Sequence, residues 1–308
     1  IAGIETLTVN AVSGSSTIDT MTNAAATKYT VTGAGNVTLT DAADTVKTVD
    51  ASAATGNVTV GGLGALVGTY TGGVGDDTFK LGTSLAATDT IDMGDGTDQI
   101  EVSTNLTAVL SLVSNVEEVA LTTADIDHNT TLTISGASVP SATTFVANAN
   151  TGANDDEATV AFTNLDSGDT VRVMTAGSDS ASLADGVALT GTLATDSDAD
   201  TINLNFQGIG ATTTNTTDDL GIANVTFDTV ETLVIGSNAN ATNSVQTNGV
   251  EQITGAVLAN MTVSGSAALN VLSMSNTTKL TSVDASAATG KITITGLDAS
   301  ALTFKAGS

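Results

Sequence analysis

Short runs of alternating apolar and β-branched polar residues recur along the whole chain and limit what it can fold into. They read TLTV, KYTVTG, NVTLTD, NVTVGG, TLTISG, ATVAFTN, DTVRVM, DTINLNF and KITITG. Each is about four to seven residues long, and Gly, Asn, Asp and Ser separate them at about 8–12-residue intervals. A period of two puts alternate side chains on opposite faces of a strand, so each run offers one apolar face to a core. Helical periodicity is nearly absent. The best helical stretch, LTAVLSLVSNVEEV over residues 106–119, reads as one or two turns leading into a strand. The pattern predicts an all-β protein: a parallel β-solenoid first, stacked β-sandwich modules second.

Composition sharpens this. Hydrophobic residues make up 41% of the chain, aromatics only 3%, with no Trp. The core must therefore be built from Val, Ile, Leu and Ala. Thr is roughly a fifth of the chain, which favours pleated surfaces. Seven Lys+Arg face 33 Asp+Glu, a formal net charge of −26. Of the acids 26 are Asp and 7 are Glu, and Asp belongs in turns and around hard cations. A chain this acidic should repel nucleic acid and anionic lipid. With no Cys, disulfides and thiolate metal sites are excluded, and bound cations become a candidate source of stability. No transmembrane helix is visible. Ile1 lies in IAGIETLTV, which reads as the middle of a strand, and no signal peptide opens the sequence, so the chain reads as a segment of a longer one.

Two internal repeats support a stacked architecture. TVDASAATGNVTVGGL from Thr48 returns as SVDASAATGKITITGL from Ser282, so Asp50 and Asp284 are equivalent positions near opposite ends of the chain. The form [IV]-E-x-[LIV] occurs around Glu5, Glu117, Glu231 and Glu251. The short interval between Glu231 and Glu251 fits one turn of a two-strand rung. Recurrence in a repeat makes these glutamates charged or capping positions rather than the paired carboxylates of a glycosidase. No composition shift marks a domain boundary, and residues 1–308 read as one continuous repeat-built segment.

The strongest motif is Gly72-Gly73-Val74-Gly75-Asp76-Asp77-Thr78-Phe79-Lys80, which fits G-G-x-G-x-D-x-U-x at every fixed position. Met93-Gly94-Asp95-Gly96-Thr97-Asp98-Gln99-Ile100-Glu101 fits it except at the first Gly. Glycines here permit a tight turn with carbonyls pointing inward, and oxygen-only ligands suit Ca²⁺. The expected metal site takes Gly73, Gly75, Asp77, Gly94, Gly96 and Asp98, with Asp89 and Asp92 from DTID as weaker members and Asp95 beside them. The alternative for these motifs is a plain glycine-rich turn. Asn154-Asp155-Asp156-Glu157, Asp196-Ser197-Asp198-Ala199-Asp200 and Asp218-Asp219 read as solvated acidic turns, each with some capacity for an ion. His128, the only histidine, reads as an exposed loop residue, and Arg172 is the only arginine. No nucleophile elbow or other catalytic constellation is visible. Thr-rich strands admit a water-ordering face, but no T-x-T element repeats at one fixed short period.

The succession GGxGxDT, an Asp-containing insertion, then GxGxDQI resembles the RTX surface-layer proteins and large calcium-binding adhesins of Gram-negative bacteria. The VDASAATGxxTxxG and VExL units resemble them too. The specific likeness covers residues 48–104 and 280–308, with an RTX-like segment at 70–103. The departures are few nonapeptides and a spacing between them that is not a multiple of nine. The resemblance implies type I secretion, a place on the cell surface, and calcium-dependent folding or lattice formation. The expectation is a structural, non-enzymatic protein that self-assembles with identical subunits into a surface layer or filament. Cell-surface polysaccharide is a partner only through regions outside this segment. The alternative is an adhesin segment that binds glycans or a host surface.

Overall fold

Alternation becomes strand wherever an apolar residue can point inward and Thr, Asn or Ser outward. The computed structural model describes residues 3–19, 25–40, 45–63, 67–123, 130–149, 159–174, 187–209, 222–239, 247–297 and 302–307. Among them are 26 strands, one 3₁₀ turn at Gly136–Ser138, and no helix long and apolar enough to cross a membrane. The chain divides into two compact units.

The first unit covers Ile1–Leu121 with Ser138–Ala142. Its odd-numbered strands are β1 (Thr6–Asn10), β3 (Lys28–Gly33), β5 (Thr48–Ala54), β7 (Thr69–Thr71), β9 (Thr90–Asp92) and β11 (Val113–Ser114). Its even-numbered strands are β2 (Ser15–Ile18), β4 (Asn36–Leu39), β6 (Val58–Val60), β8 (Thr78–Gly82), β10 (Gln99–Val102) and, as far as Leu121, β12 (Glu118–Thr123). The odd strands pair in chain order in one sheet and the even strands in another, and every pair is parallel. The chain therefore coils, laying one odd and one even strand per rung. Thr6, Lys28, Thr48, Thr69 and Thr90 stand in register, each one rung beyond the last.

The second unit repeats the scheme with β13 (Thr131–Ser135), β15 (Thr159–Leu165), β17 (Ala188–Leu193), β19 (Ile222–Thr226), β21 (Thr247–Thr254), β23 (Ala268–Ser275) and β25 (Ile292–Ile294) in one sheet. Its other sheet carries β14 (Thr144–Ala149), β16 (Thr170–Met174), β18 (Thr201–Gln207), β20 (Thr232–Asn238), β22 (Asn260–Gly265), β24 (Ser282–Ala288) and β26 (Thr303–Lys305). Rungs here are longer and less even. Thr131 pairs Thr159 and Ala188 pairs Asn224, wider intervals than that from Lys28 to Thr48 in the first unit. The protein is a parallel β-solenoid. The β-sandwich alternative needs antiparallel pairing, and every described pairing is parallel.

The core runs between the two sheets as columns of stacked apolar side chains. In the first unit Tyr29, Val49, Tyr70 and Ile91 stack on one side, and Val60, Phe79, Ile100 and Val119 on the other. All eight are buried. Each such side chain contributes about 1.5–3 kcal/mol of burial. The two columns touch where the Tyr70 and Phe79 rings meet edge to face, centroids 6.2 Å apart. Burial, and then the charge of Asp89, pushes the Tyr70 hydroxyl up to about 12.

The repeated VDASAATG unit encodes one local device. In both copies the strand bulges after the aspartate: Asp50 sits opposite Thr30, and Ala53 opposite Thr32. Asp284 likewise sits opposite Thr262, and Ala287 opposite Ser264. The aspartate holds the bulge by accepting from the serine two positions on: Asp50 Oδ1 from Ser52 Oγ at 2.8 Å, Asp284 Oδ1 from Ser286 Oγ at 2.6 Å. A lysine of a neighbouring rung pairs with each, Lys28 at 3.0 Å and Lys305 at 2.9 Å. The Ser52 hydroxyl, then Lys28, holds Asp50 below the usual carboxylate range; Lys305 and Ser286 do the same for Asp284.

Two expectations need correction. Residues 106–119 form no helix; one hydrogen-bonded turn, Val113 N–H donating to the Leu110 carbonyl at 3.2 Å, leads into β11. Leu106, Leu110 and Val116 are buried there as anchors of the connecting segment, and Val119 belongs to the core column of β12. Glu231 and Glu251 do not stack as one rung. Glu231 precedes β20, whereas Glu251 lies exposed within β21 of the other sheet. The rung at that point runs from Thr232 to Asn260, because its loops are longer.

Candidate functional site

The corners that lead from an odd to an even strand carry the nonapeptides. One spans residues 72–77 between β7 and β8, the other 93–98 between β9 and β10. Rungs there stack so closely that side chains are excluded. A Cβ on Gly73 would meet the Ala54 carbonyl oxygen at 2.4 Å, and one on Gly94 the Gly73 oxygen at 2.1 Å. A Cβ on Gly75 would meet the Gly56 backbone at 2.7 Å, and one on Gly96 the Gly75 oxygen at 2.6 Å. Gly94 and Gly96 also take φ of +91° and +143°, which L side chains avoid. The motif glycines thus serve rung stacking in their own right and bring main-chain carbonyls to the corner.

Asp77 and Asp98 are each the last residue before an even strand, and both are buried. Asp77 Oδ1 accepts from Val58 N–H of the preceding rung at 2.7 Å, and Oδ2 from Gly73 N–H of its own turn at 2.6 Å. Asp98 Oδ1 accepts from Asp77 N–H at 2.7 Å. Glu117 Oε2 accepts from Asp98 N–H at 2.9 Å. Three successive carboxylates thus each reach back one rung to cap a backbone N–H that no strand ladder satisfies. Asp76 lies beside them, accepting from Thr97 N–H at 2.9 Å.

The electrostatics follow from burial among like charges. Desolvation pushes the Asp77 carboxyl up, opposed by the N–H groups of Gly73 and Val58. Asp98 is pushed up to about 7, first by burial; the charges of Asp77, Glu117 and Asp76 add, and the Asp77 N–H opposes. Asp98 Oδ2 is buried with no hydrogen-bond partner.

The other expected members lie elsewhere. Asp89 is buried at the far corner of the rung, where the loop from β8 enters β9; its oxygens accept from Gly68 and Ala86 N–H, both at 2.8 Å. Asp92 ends β9, exposed, and accepts from Asn115 Nδ2 at 2.7 Å. Asp95 is exposed at the turn. The structure brings Asp77 and Asp98 together and leaves Asp89 apart. Asp200, read as part of a solvated turn, is buried and accepts from Ser197 N–H at 2.6 Å and Ser197 Oγ at 2.9 Å. Residues 154–157, Asp218-Asp219 and His128 lie outside the described residues.

Sequence reasoning missed Glu117 as a member of this corner, although its motif reads as a capping position. Glu231 caps Asp200 N–H at 2.9 Å in the same way. The usable signal was position: each of these carboxylates stands immediately before an even strand. Asp169, also unread, precedes β16; burial pushes it up to about 6.

The corner offers oxygen donors only, which suits a hard cation. Among the described residues no three carboxylate or imidazole groups converge as a metal cluster. A cation here would draw on one or two carboxylates, with carbonyls and water completing its shell. No family model matches the chain, and no curated protein matches it.

Proposed function

We propose that this chain is a structural segment of an extracellular surface assembly, a surface layer or filament, whose solenoid is ordered by Ca²⁺. The observation that carries this reading is the carboxylate corner of Asp77, Asp98 and Glu117, its two aspartates buried, in a chain of net charge −26. A solenoid suits mechanical work, since each rung is held to the next along its whole length. Uncompensated acid at a buried corner opposes closure of the rungs, and a divalent cation relieves it. At low calcium the charges keep the corner open, favouring export of an unfolded chain. At millimolar calcium outside the cell the corner closes.

The test is a thermal melt by circular dichroism with millimolar Ca²⁺, with Mg²⁺, and with chelator, alongside electron microscopy of the calcium-loaded protein. A calcium-specific rise in Tm together with ordered sheets or fibres supports the reading. Full β-sheet signal and an unchanged Tm in chelator would sink calcium ordering. Glycan binding by a protein that stays dispersed would replace self-assembly with an adhesin role.

A further inference from the structure

Five aspartates are buried among the described residues: Asp77, Asp89, Asp98, Asp169 and Asp200. Four of them close their own turn by accepting a backbone N–H three or four positions upstream. Gly73 serves Asp77, Ala86 serves Asp89, Asp166 serves Asp169 at 2.8 Å, and Ser197 serves Asp200. Asp98 does not. Of the N–H groups upstream of it, Asp95 N–H donates to the Gly73 carbonyl of the preceding rung at 3.0 Å and Thr97 N–H to Asp76 Oδ1, and Gly94 N–H, the counterpart of Gly73, makes no bond to Asp98. Its Oδ2 is left buried and bare. Lys80, on the adjoining strand β8, is held by Glu101 at 2.9 Å, and no lysine or arginine among the described residues pairs with Asp98.

A buried carboxylate oxygen with neither donor nor counter-ion is costly, and a bound cation removes the cost. Further oxygens come from the next rung. Glu117 lends Oε2 to Asp98 N–H, and no hydrogen bond reaches its Oε1 among the described residues. Asp77 is differently placed, because each of its oxygens already takes an N–H.

We propose that Asp98 Oδ2 and the Glu117 carboxylate together hold a calcium ion, and that Asp77 is a cap of the preceding rung rather than a ligand. The site then joins the second nonapeptide to the following [IV]-E-x-[LIV] unit, so one ion ties the corners of β10 and β12. Asp200 and Glu231 repeat the capping geometry without the site, since the Ser197 N–H and hydroxyl occupy Asp200.

This inference rests on the calcium reading above, and the variants separate the two. Calcium titration by calorimetry, and Tm with and without Ca²⁺, are measured on the whole chain and on D98N, E117Q and D77N. E117Q keeps an acceptor for Asp98 N–H while losing the charge, so its fold is preserved. Calcium affinity is expected to fall about tenfold or more in D98N and E117Q. D77N is expected to melt lower yet keep the calcium-induced rise. Loss of that rise in D77N, with E117Q binding calcium like the parent, would overturn the assignment and leave the calcium reading standing. A parent chain that binds no calcium overturns both.

Discussion

The main-chain N–H of Asp77 donates to Asp98 Oδ1 at 2.7 Å, across one full rung of the solenoid. A carboxylate here does the work that a strand ladder does elsewhere, because the Asp77 N–H takes no backbone carbonyl of a neighbouring rung, unlike Gly72, Val74 and Asp95 at the same corners. Consequences follow for stability, pH and substitution.

Removing the Asp77 carboxylate strands two buried donors, Val58 and Gly73 N–H. Each costs about 1–3 kcal/mol. D77A is expected to lower the unfolding free energy in urea by about 2–5 kcal/mol. D77N, which keeps one acceptor, should lose less. Equal stability of D77A and the parent would refute the capping role.

Calcium-free protein should be more stable at pH 5 than at pH 8. Asp98 titrates at about 7 and Asp169 at about 6 in the folded chain, against about 4 when unfolded. Between those values the folded state holds the extra protons, so stability falls as pH rises from about 4 to 7. Below about pH 4 the trend reverses, because Asp50 and Asp284 are held below their ordinary range and lose their partners on protonation. Melting in chelator across this range tests the sign, and D98N should flatten the upper part of the curve.

Gly75→Ala places a methyl 2.7 Å from the Gly56 backbone, which cannot yield without moving a rung. A loss of about 1–3 kcal/mol is expected in denaturant titration. If Gly75→Ala is neutral, the motif glycine is not required for stacking.

Ile100→Ala empties part of the column between Phe79 and Val119 and should cost about 2–5 kcal/mol. Lys28→Ala breaks an ion pair whose side chains are more than a third exposed, and should cost about 1 kcal/mol or less, less still in high salt. Both are read from urea midpoints. A larger effect for Lys28 than for Ile100 would contradict a core-dominated solenoid.

Much of the fold was legible in the chain. The runs TVTG, VTLT and INLNF alternate with period two, and their apolar members are the buried columns. The site was legible in part. Asp77 and Asp98 stood out through their glycines, but the same pattern drew in Asp89 and Asp92, which lie at another corner or on the surface. Glu117 stood out only as a repeat. The short interval between Glu231 and Glu251 misled because loop length varies between rungs, so sequence distance does not report stacking.

The sequence by itself determined strand, rung and corner, because period-two alternation and glycine placement act on the local backbone. Only the tertiary structure decided which aspartate keeps a bare oxygen. That depends on whether the N–H three residues upstream turns to its own carboxylate, as Ser197 does to Asp200, or to the preceding rung, as Asp95 does to the Gly73 carbonyl. Such competition is settled by the stacking of rungs across the solenoid, where hydrogen bonds form between residues that the chain itself keeps far apart.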